Sequence, residues 1–435
     1  MIKALGFTGM VFVLVISVKS AVICVPGDAA TIQAGIDLAV DGDTVRIGSG
    51  IWRGDGNRDI DVQGKQIVIE SGAGPESCII DIEGTEEELH TGFIFTSNET
   101  AETQLIGVTI MHGSGMLVSY SNQDHIRGGA VVVMEASPTI RNCSFLNNNI
   151  TNNEIFASGG AVFIYKTGSL ISNCKFQDNF ASKTGSAVLC ESSPSGSIIE
   201  SSFFFNNVCS QGTIACYTSS INIVSCTFAE NRVNSVGGAI LIMSDDEIER
   251  SRIEGCFFIG NSVRYDDPGQ YSGAGAVYCN KTDIVDCMFV NNSAGEGGAI
   301  TCYYNTRIFN CLLANNSAIK GGAIYCSTAY YEYCDVSHST FVNNISNSVG
   351  GAIYIPQLLS PITVTNCIFR NNYPSQIEPS NGDPDELPDV TYCNVEGGYR
   401  GYRNIDVDPL FCSDGPDRFF LSQIASGQSQ DSPCL

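Results

Sequence analysis

One pattern recurs nine times between residues 128 and 372, and it leaves the chain few folds to choose from. Each copy has a Gly-Gly-Ala-like start, then an Ile or Val, a small polar residue, Cys, one residue, Phe, and an Asn-rich turn. The starts are Gly128, Gly159, Gly185, Gln211, Gly237, Ala274, Gly297, Gly321 and Gly350, so successive copies begin 23 to 37 residues apart. Self-similarity at such a period marks an architecture of stacked units, none of which can bury its apolar face alone. A leucine-rich solenoid has a comparable period, but the Leu framework it needs is missing here.

Within a copy the spacings predict strands. The aromatic column reads Phe145, Phe176, Phe204, Phe228, Phe258, Phe289, Leu313, Phe341 and Phe369, with Cys or Ser two residues before each. A separation of two puts both columns on one strand face. Three residues before the Cys or Ser stands Ile140, Ile171, Ile199, Ile223, Ile253, Ile284, Ile308, Val336 or Val364. Three is odd, so a straight strand would point these residues outward. The chain must bend between them, where Asn142, Asn173, Gly255, Asp286, Asn310 and Asn366 tolerate a left-handed backbone. Each coil therefore has three short strands: a Gly-Gly-Ala strand, an Ile/Val strand and a Cys-x-Phe strand. The Asn pairs after the Phe, such as Asn206-Asn207 and Asn291-Asn292, are placed to form amide ladders between coils.

The expected fold is an all-β, single-stranded right-handed parallel β-helix with three strands per coil and a short N-terminal cap, for which Ile32 to Leu38 supply an amphipathic helix. With only 16% charged residues and 45 glycines, the composition favours turns over exposed helix. Ala4 to Val18, preceded by Lys3, has the length and flanks of a secretory signal, with cleavage expected after Ser20. Residues 21–127 read as the cap and first coils, 128–372 as the repeat β-helix, and 373–435 as a closing module with an acidic loop. No membrane span is expected after signal cleavage. The formal charge is −24, and residues 1–20 carry two lysines and no acid, so the mature chain stands at −26. Such a surface repels nucleic acid.

Nineteen cysteines in an exported chain would ordinarily imply disulfides. In-register neighbours on parallel coils sit about 4.8 Å apart with parallel Cα–Cβ bonds, the wrong geometry for a disulfide. Most therefore read as small buried hydrophobes. Cross-lumen pairs such as Cys279 with Cys287 or Cys302 with Cys311 stay open. No Cys-x-x-Cys spacing occurs, so no zinc site is expected.

The coupling of Gly-Gly-Ala-Ile/Val to Phe-x-x-Asn, seen in Phe145 to Asn148, Phe176 to Asn179, Phe228 to Asn231 and Phe369 to Asn372, resembles the repeats of polymorphic outer membrane proteins. That resemblance covers more than half the chain and implies a β-helical passenger of the surface-adhesin type. Upstream, Ala30-Thr31-Ile32-Gln33-Ala34 through Gly42-Asp43-Thr44-Val45 to Gly64-Lys65-Gln66-Ile67 is similar to the start of secreted β-helix proteins of the pectin-lyase-like fold. Val390 to Gly398, with Asn404 to Phe411, resembles their closing module. In those relatives a Ser-Pro-Cys like Ser432-Pro433-Cys434 is usually followed by a sorting or anchoring module. Here the sequence ends at Leu435, and the barrel of the autotransporters is not expected to carry over.

Enzymes on this fold cut or epimerise acidic polysaccharides with clustered carboxylates and a base. Only Asp245-Asp246 and Asp266-Asp267 are adjacent Asp pairs, and no catalytic constellation is recognisable; Asp124-His125 is a lone pair. Insertions must leave the stack as surface loops, where binding concentrates. Tyr265, Asp266, Asp267 and Tyr271 in one insertion, and Tyr330 and Tyr331 in another, combine aromatics with acids as glycan-binding faces do. The acidic run Asp383 to Glu386 with Asp389 lacks the spacing of a calcium loop and reads as a linker, so no cofactor is expected. The chain is expected to be a secreted or surface-displayed monomer acting as an adhesin-like scaffold toward a glycan or a cell surface. A polysaccharide lyase, hydrolase or epimerase is the alternative.

Overall fold

The structure, a computed structural model, describes residues 20–435 apart from 121–122, 153–155, 195, 246, 265–272, 328–332, 357–361, 381–386, 413–418, 422, 424–428 and 435. The expected signal segment therefore falls outside the described residues but for its last position. The chain winds as a parallel β-helix whose strands stack into three long sheets of 14, 13 and 12 strands among the described residues. The 14-stranded sheet is the Ile/Val face, the 13-stranded one the Phe face and the 12-stranded one the Gly-Gly-Ala face. Like residues pair in register from coil to coil, as in Ile171 with Ile199, Phe176 with Phe204 and Cys190 with Cys216.

The side chains show why this sequence coils. All nine bend positions between the Ile/Val and Cys columns have positive φ, including Asn142 at 54°, Gly255 at 62° and Asp286 at 55°. The two members of each Asn pair do different jobs. The first turns the chain, as Asn206 does at φ 52° and Asn315 at 57°. The second is buried and joins an unbroken amide ladder through Asn148, Asn179, Asn207, Asn231, Asn261, Asn292, Asn316, Asn344 and Asn372, with Nδ2 to Oδ1 distances of 2.9–3.1 Å. The rings of Phe145, Phe176, Phe204, Phe228, Phe258 and Phe289 stack with centroids 4.6–5.0 Å apart; Leu313 stands between this stack and the Phe341–Phe369 pair.

The Gly-Gly pair is also a division of labour. Gly297 turns the chain at φ +66°, whereas a Cβ on Gly298 would lie 2.1 Å from the Gly322 carbonyl oxygen of the next coil. Just before these glycines the structure adds a feature to the expected coil: a fourth, eight-stranded sheet of short strands such as Val208–Gln211 and Arg232–Val236. It meets the Gly-Gly-Ala face at a sharp external corner.

One continuous apolar cluster fills the lumen from Ile23 to Val395. The helix Ile32–Leu38 covers its first coil, capped by Thr31, whose side chain accepts from the Ala34 N–H at 3.2 Å, and it buries Ile32, Gly35 and Ile36. Tyr399 packs against the last lumen residues, so the tail folds over the other end. Sixteen of the cysteines from Cys78 to Cys393 are buried and all are free thiols, many donating to a backbone carbonyl two residues earlier, as Cys256 does to Glu254 at 3.3 Å.

Candidate functional site

Where the chain enters the first Gly-Gly-Ala strand it departs from the repeat. Met116–Tyr120 and Gln123–Arg127 form an antiparallel hairpin, and the second strand pairs in parallel with Phe156–Ser158. This three-stranded flap stands beside the external corner. Behind it, the outward residues Val132, Phe163, Leu189, Ala215 and Leu241 of the Gly-Gly-Ala face form a second, fully buried apolar stripe. The result is a cleft of about 430 Å³ lined by residues of the flap, by Lys183, Thr184, Ser210 and Gln211 before the glycine turns, and by Glu191 and Tyr217 on the strands.

Arg127 organises the cleft. Its guanidinium lies over the Phe163 ring at 5.3 Å, donates to the Phe156 carbonyl at 3.2 Å, and meets Glu191 Oε1 at 3.4 Å and His125 Nδ1 at 3.1 Å. Burial, and then the Arg127 charge, push the His125 imidazole below its ordinary value, so it is neutral at neutral pH. Burial likewise raises the Tyr217 phenol, which stays protonated and donates to Gln211 Oε1 at 3.0 Å. At the rim Phe156 is 57% exposed, with the Lys183 ammonium 5.8 Å from its ring centroid. An exposed ring beside a cation and hydrogen-bonding amides is an arrangement able to hold an amphipathic, hydroxyl-rich ligand. Arg127 and Lys183 outnumber Glu191, a local reversal in a chain of charge −24.

Residues 310–327 and 338–356 match the Chlamydia polymorphic membrane protein repeat. The resemblance read from the motifs is thus shown. Both matched copies of that repeat carry the Asn ladder and a Gly-Gly-Ala start, so the match follows the residues that build the lumen. Among curated proteins none matches the sequence significantly. Of solved structures, a PL6 alginate lyase in complex with a trisaccharide aligns at TM-score 0.43 and 12% identity, covering 86% of this chain and 85% of that one. PfbA, a surface adhesin of Streptococcus pneumoniae, aligns at TM-score 0.39 and 11% identity over 86% and 88% of the two chains. The N-terminal fragment of bacteriophage Phi29 gene product 12 aligns at 0.42 and 11% over 89% and 71%.

The site residues expected from sequence, Tyr265, Asp266, Asp267, Tyr271, Tyr330 and Tyr331, lie outside the described residues, as do Asp383 to Glu386. Next to the second group, Tyr333 is gripped by arginines: its hydroxyl accepts from Arg250 at 3.1 Å and Arg307 at 2.8 Å. Asp245 is exposed and outside the cleft. Of Asp124-His125, the imidazole enters the cleft and the carboxylate stays at the surface. Sequence reasoning missed Arg127, Phe156 and Lys183. The available signal was the irregular stretch before Gly128 and Gly159, where an insertion meets the repeat. Among the described residues no helix is long and apolar enough to cross a membrane.

Proposed function

We propose that this chain is an exported, surface-displayed β-helix adhesin that binds a glycan in the cleft between the flap and the Gly-Gly-Ala face. The observation that carries the reading is the exposed Phe156 ring at the cleft rim with the Lys183 ammonium 5.8 Å from its centroid. A sugar ring stacks its C–H face on such an aromatic, while Lys183, Gln211 and Tyr217 address its oxygens and Arg127 holds the wall behind them. The match to a membrane-protein repeat supports display at the cell surface. The test is a glycan array and cell-surface binding with the full chain, followed by titration of Phe156→Ala. Binding that weakens at least tenfold in the variant, with an unchanged circular dichroism spectrum, supports the reading. Absence of binding to every glycan and cell surface overturns it.

One observation favours a second reading, polysaccharide cleavage or epimerisation. A neutral imidazole and a protonated phenol share the cleft with a guanidinium, the groups that proton abstraction beside a carboxylate requires. Chain shortening or inversion of a uronate by the purified protein, lost in His125→Gln and Tyr217→Phe, would establish it; an unchanged polysaccharide would end it.

A further inference from the structure

Two lumen columns meet across a corner of the coil, as Cys190 and Ser197 do at 4.0 Å, and in one place both columns carry thiols. Cys302 and Cys326 are in-register neighbours on the Gly-Gly-Ala face. Across the adjoining corner, the first residue of the Ile/Val strand is Ser197, Ile221, Ser251, Thr282 and Thr306 in successive coils and Ile362 further on; at Cys334 alone in this run it is a thiol. Cys334 Sγ lies 3.5 Å from Cys302 Sγ, and the three sulfurs of Cys302, Cys326 and Cys334 fall within 4.8 Å of one another. All three residues are buried, at 0% to 1% exposure.

Such a cluster can hold a soft cation or close a disulfide, and charge decides between them. Three thiolates around a divalent cation leave a net negative charge among Ile and Phe side chains, and a structural zinc needs a fourth ligand. A disulfide is neutral and apolar, and it suits the dry lumen. Geometry then selects the pair. Cys302 and Cys326 project in parallel from stacked strands about 4.8 Å apart. Cys302 and Cys334 face each other across the corner, and their sulfurs need to close by about 1.5 Å to reach the bonded separation of about 2.05 Å.

We propose that Cys302 and Cys334 form a disulfide across the corner of the lumen, with Cys326 left as the neighbouring thiol. Two S–H bonds break and one S–S bond forms. The two electrons and two protons pass to a disulfide oxidant of the exporting compartment, which leaves as two thiols. Because the sulfurs are sealed in the closed coil, the bond must form before that coil docks, and afterwards soluble reductants cannot reach it. The proposal depends on export to an oxidising compartment and not on glycan binding, so neither the cleft nor its ligand enters the test.

The full chain, folded in a glutathione redox buffer, is alkylated, digested and mapped by mass spectrometry. A peptide linking Cys302 to Cys334 is expected. It should persist when a dithiol reductant is added to the native protein and vanish when denaturant is added as well. Cys334→Ser should leave Cys302 recovered as a free thiol with the far-ultraviolet spectrum unchanged. Recovery of alkylated Cys302 and Cys334 from the wild-type protein, linkage of either to another cysteine, or a metal ion co-purifying in stoichiometric amount and released on thiol alkylation would each overturn the proposal.

Discussion

Replacing Asn231 by Ala should destabilise the solenoid more than its small change in volume implies. Asn231 is fully buried in mid-ladder. Its Oδ1 accepts from the Asn207 backbone N–H at 3.0 Å and from Asn207 Nδ2 at 2.9 Å. Its Nδ2 donates to Asn261 Oδ1 at 2.9 Å and to the Phe204 carbonyl at 3.0 Å. Alanine removes the acceptor and both donors together. Two N–H groups of Asn207 then face a dry lumen with no partner, at about 1–3 kcal/mol each. The carbonyl of Phe204 and Oδ1 of Asn261 lose one bond apiece, which two-lone-pair acceptors tolerate better.

The expected loss is about 2–6 kcal/mol, set against a typical folding stability of about 5–15 kcal/mol. Urea unfolding followed by circular dichroism reads it directly. In a stacked array the damage is shared with nearest neighbours, so limited proteolysis should also nick the chain near the altered coil before the ends. Asn291→Gly is the matched control. Asn291 sits at φ 58° and is exposed, and glycine keeps the turn, so that variant should stay within about 0.5 kcal/mol of wild type. If Asn231→Ala also stayed within about 0.5 kcal/mol, the ladder would not be the source of cohesion argued here.

Phe228→Ala should cost about 3–5 kcal/mol in the same assay, because the ring is fully buried between Phe204 and Phe258. Gly298→Ala should prevent recovery of folded protein, since its Cβ has only 2.1 Å to the next coil's backbone oxygen; soluble, fully folded material at wild-type yield would contradict this. The depressed His125 value means the native state holds a neutral imidazole while the unfolded chain protonates near pH 6.5. That contribution to stability is present above the unfolded value and is lost as pH falls below it, so His125→Gln should flatten the decline in melting temperature between neutral and mildly acidic pH.

The lumen was legible because every one of its constraints repeats. A single Asn or Gly says little, but nine bends, nine Asn rungs and a column of Gly-Gly pairs each report the same local demand, and the demand can be inferred from geometry alone. The cap was legible for a different reason, since the amphipathic period of Ile32 to Leu38 switches away from the strand pattern around it. The fourth sheet was not. Its strands, Ser317–Lys320 and Ile345–Val349 among them, carry only one buried column, through Ala181, Cys209, Val233, Val263 and Ala318, whose residue types vary and which packs apart from the lumen cluster, so no motif marks it. The cleft was missed by the same logic. Arg127, Phe156, Lys183 and Glu191 come from four parts of the chain that only coil stacking and flap pairing bring together, and none is marked by a spacing.

That contrast bears on where a proposed binding site can sit on this molecule. Within the lumen each residue is held by copies of itself above and below, so a change for the sake of chemistry breaks a column. The external corner carries no such obligation. Positions just before the glycine turns read Arg127, Ser158, Thr184, Gln211, Val236, Glu296, Lys320 and Val349, a run of unlike residues on a rigid, regularly spaced support. Where the flap rises beside the corner, unlike residues from several coils acquire an opposing wall, and their backbones are fixed by sheet pairing before any ligand arrives. A binding site built this way costs the solenoid nothing in packing, since the ligand-facing groups vary while the lumen beneath them does not.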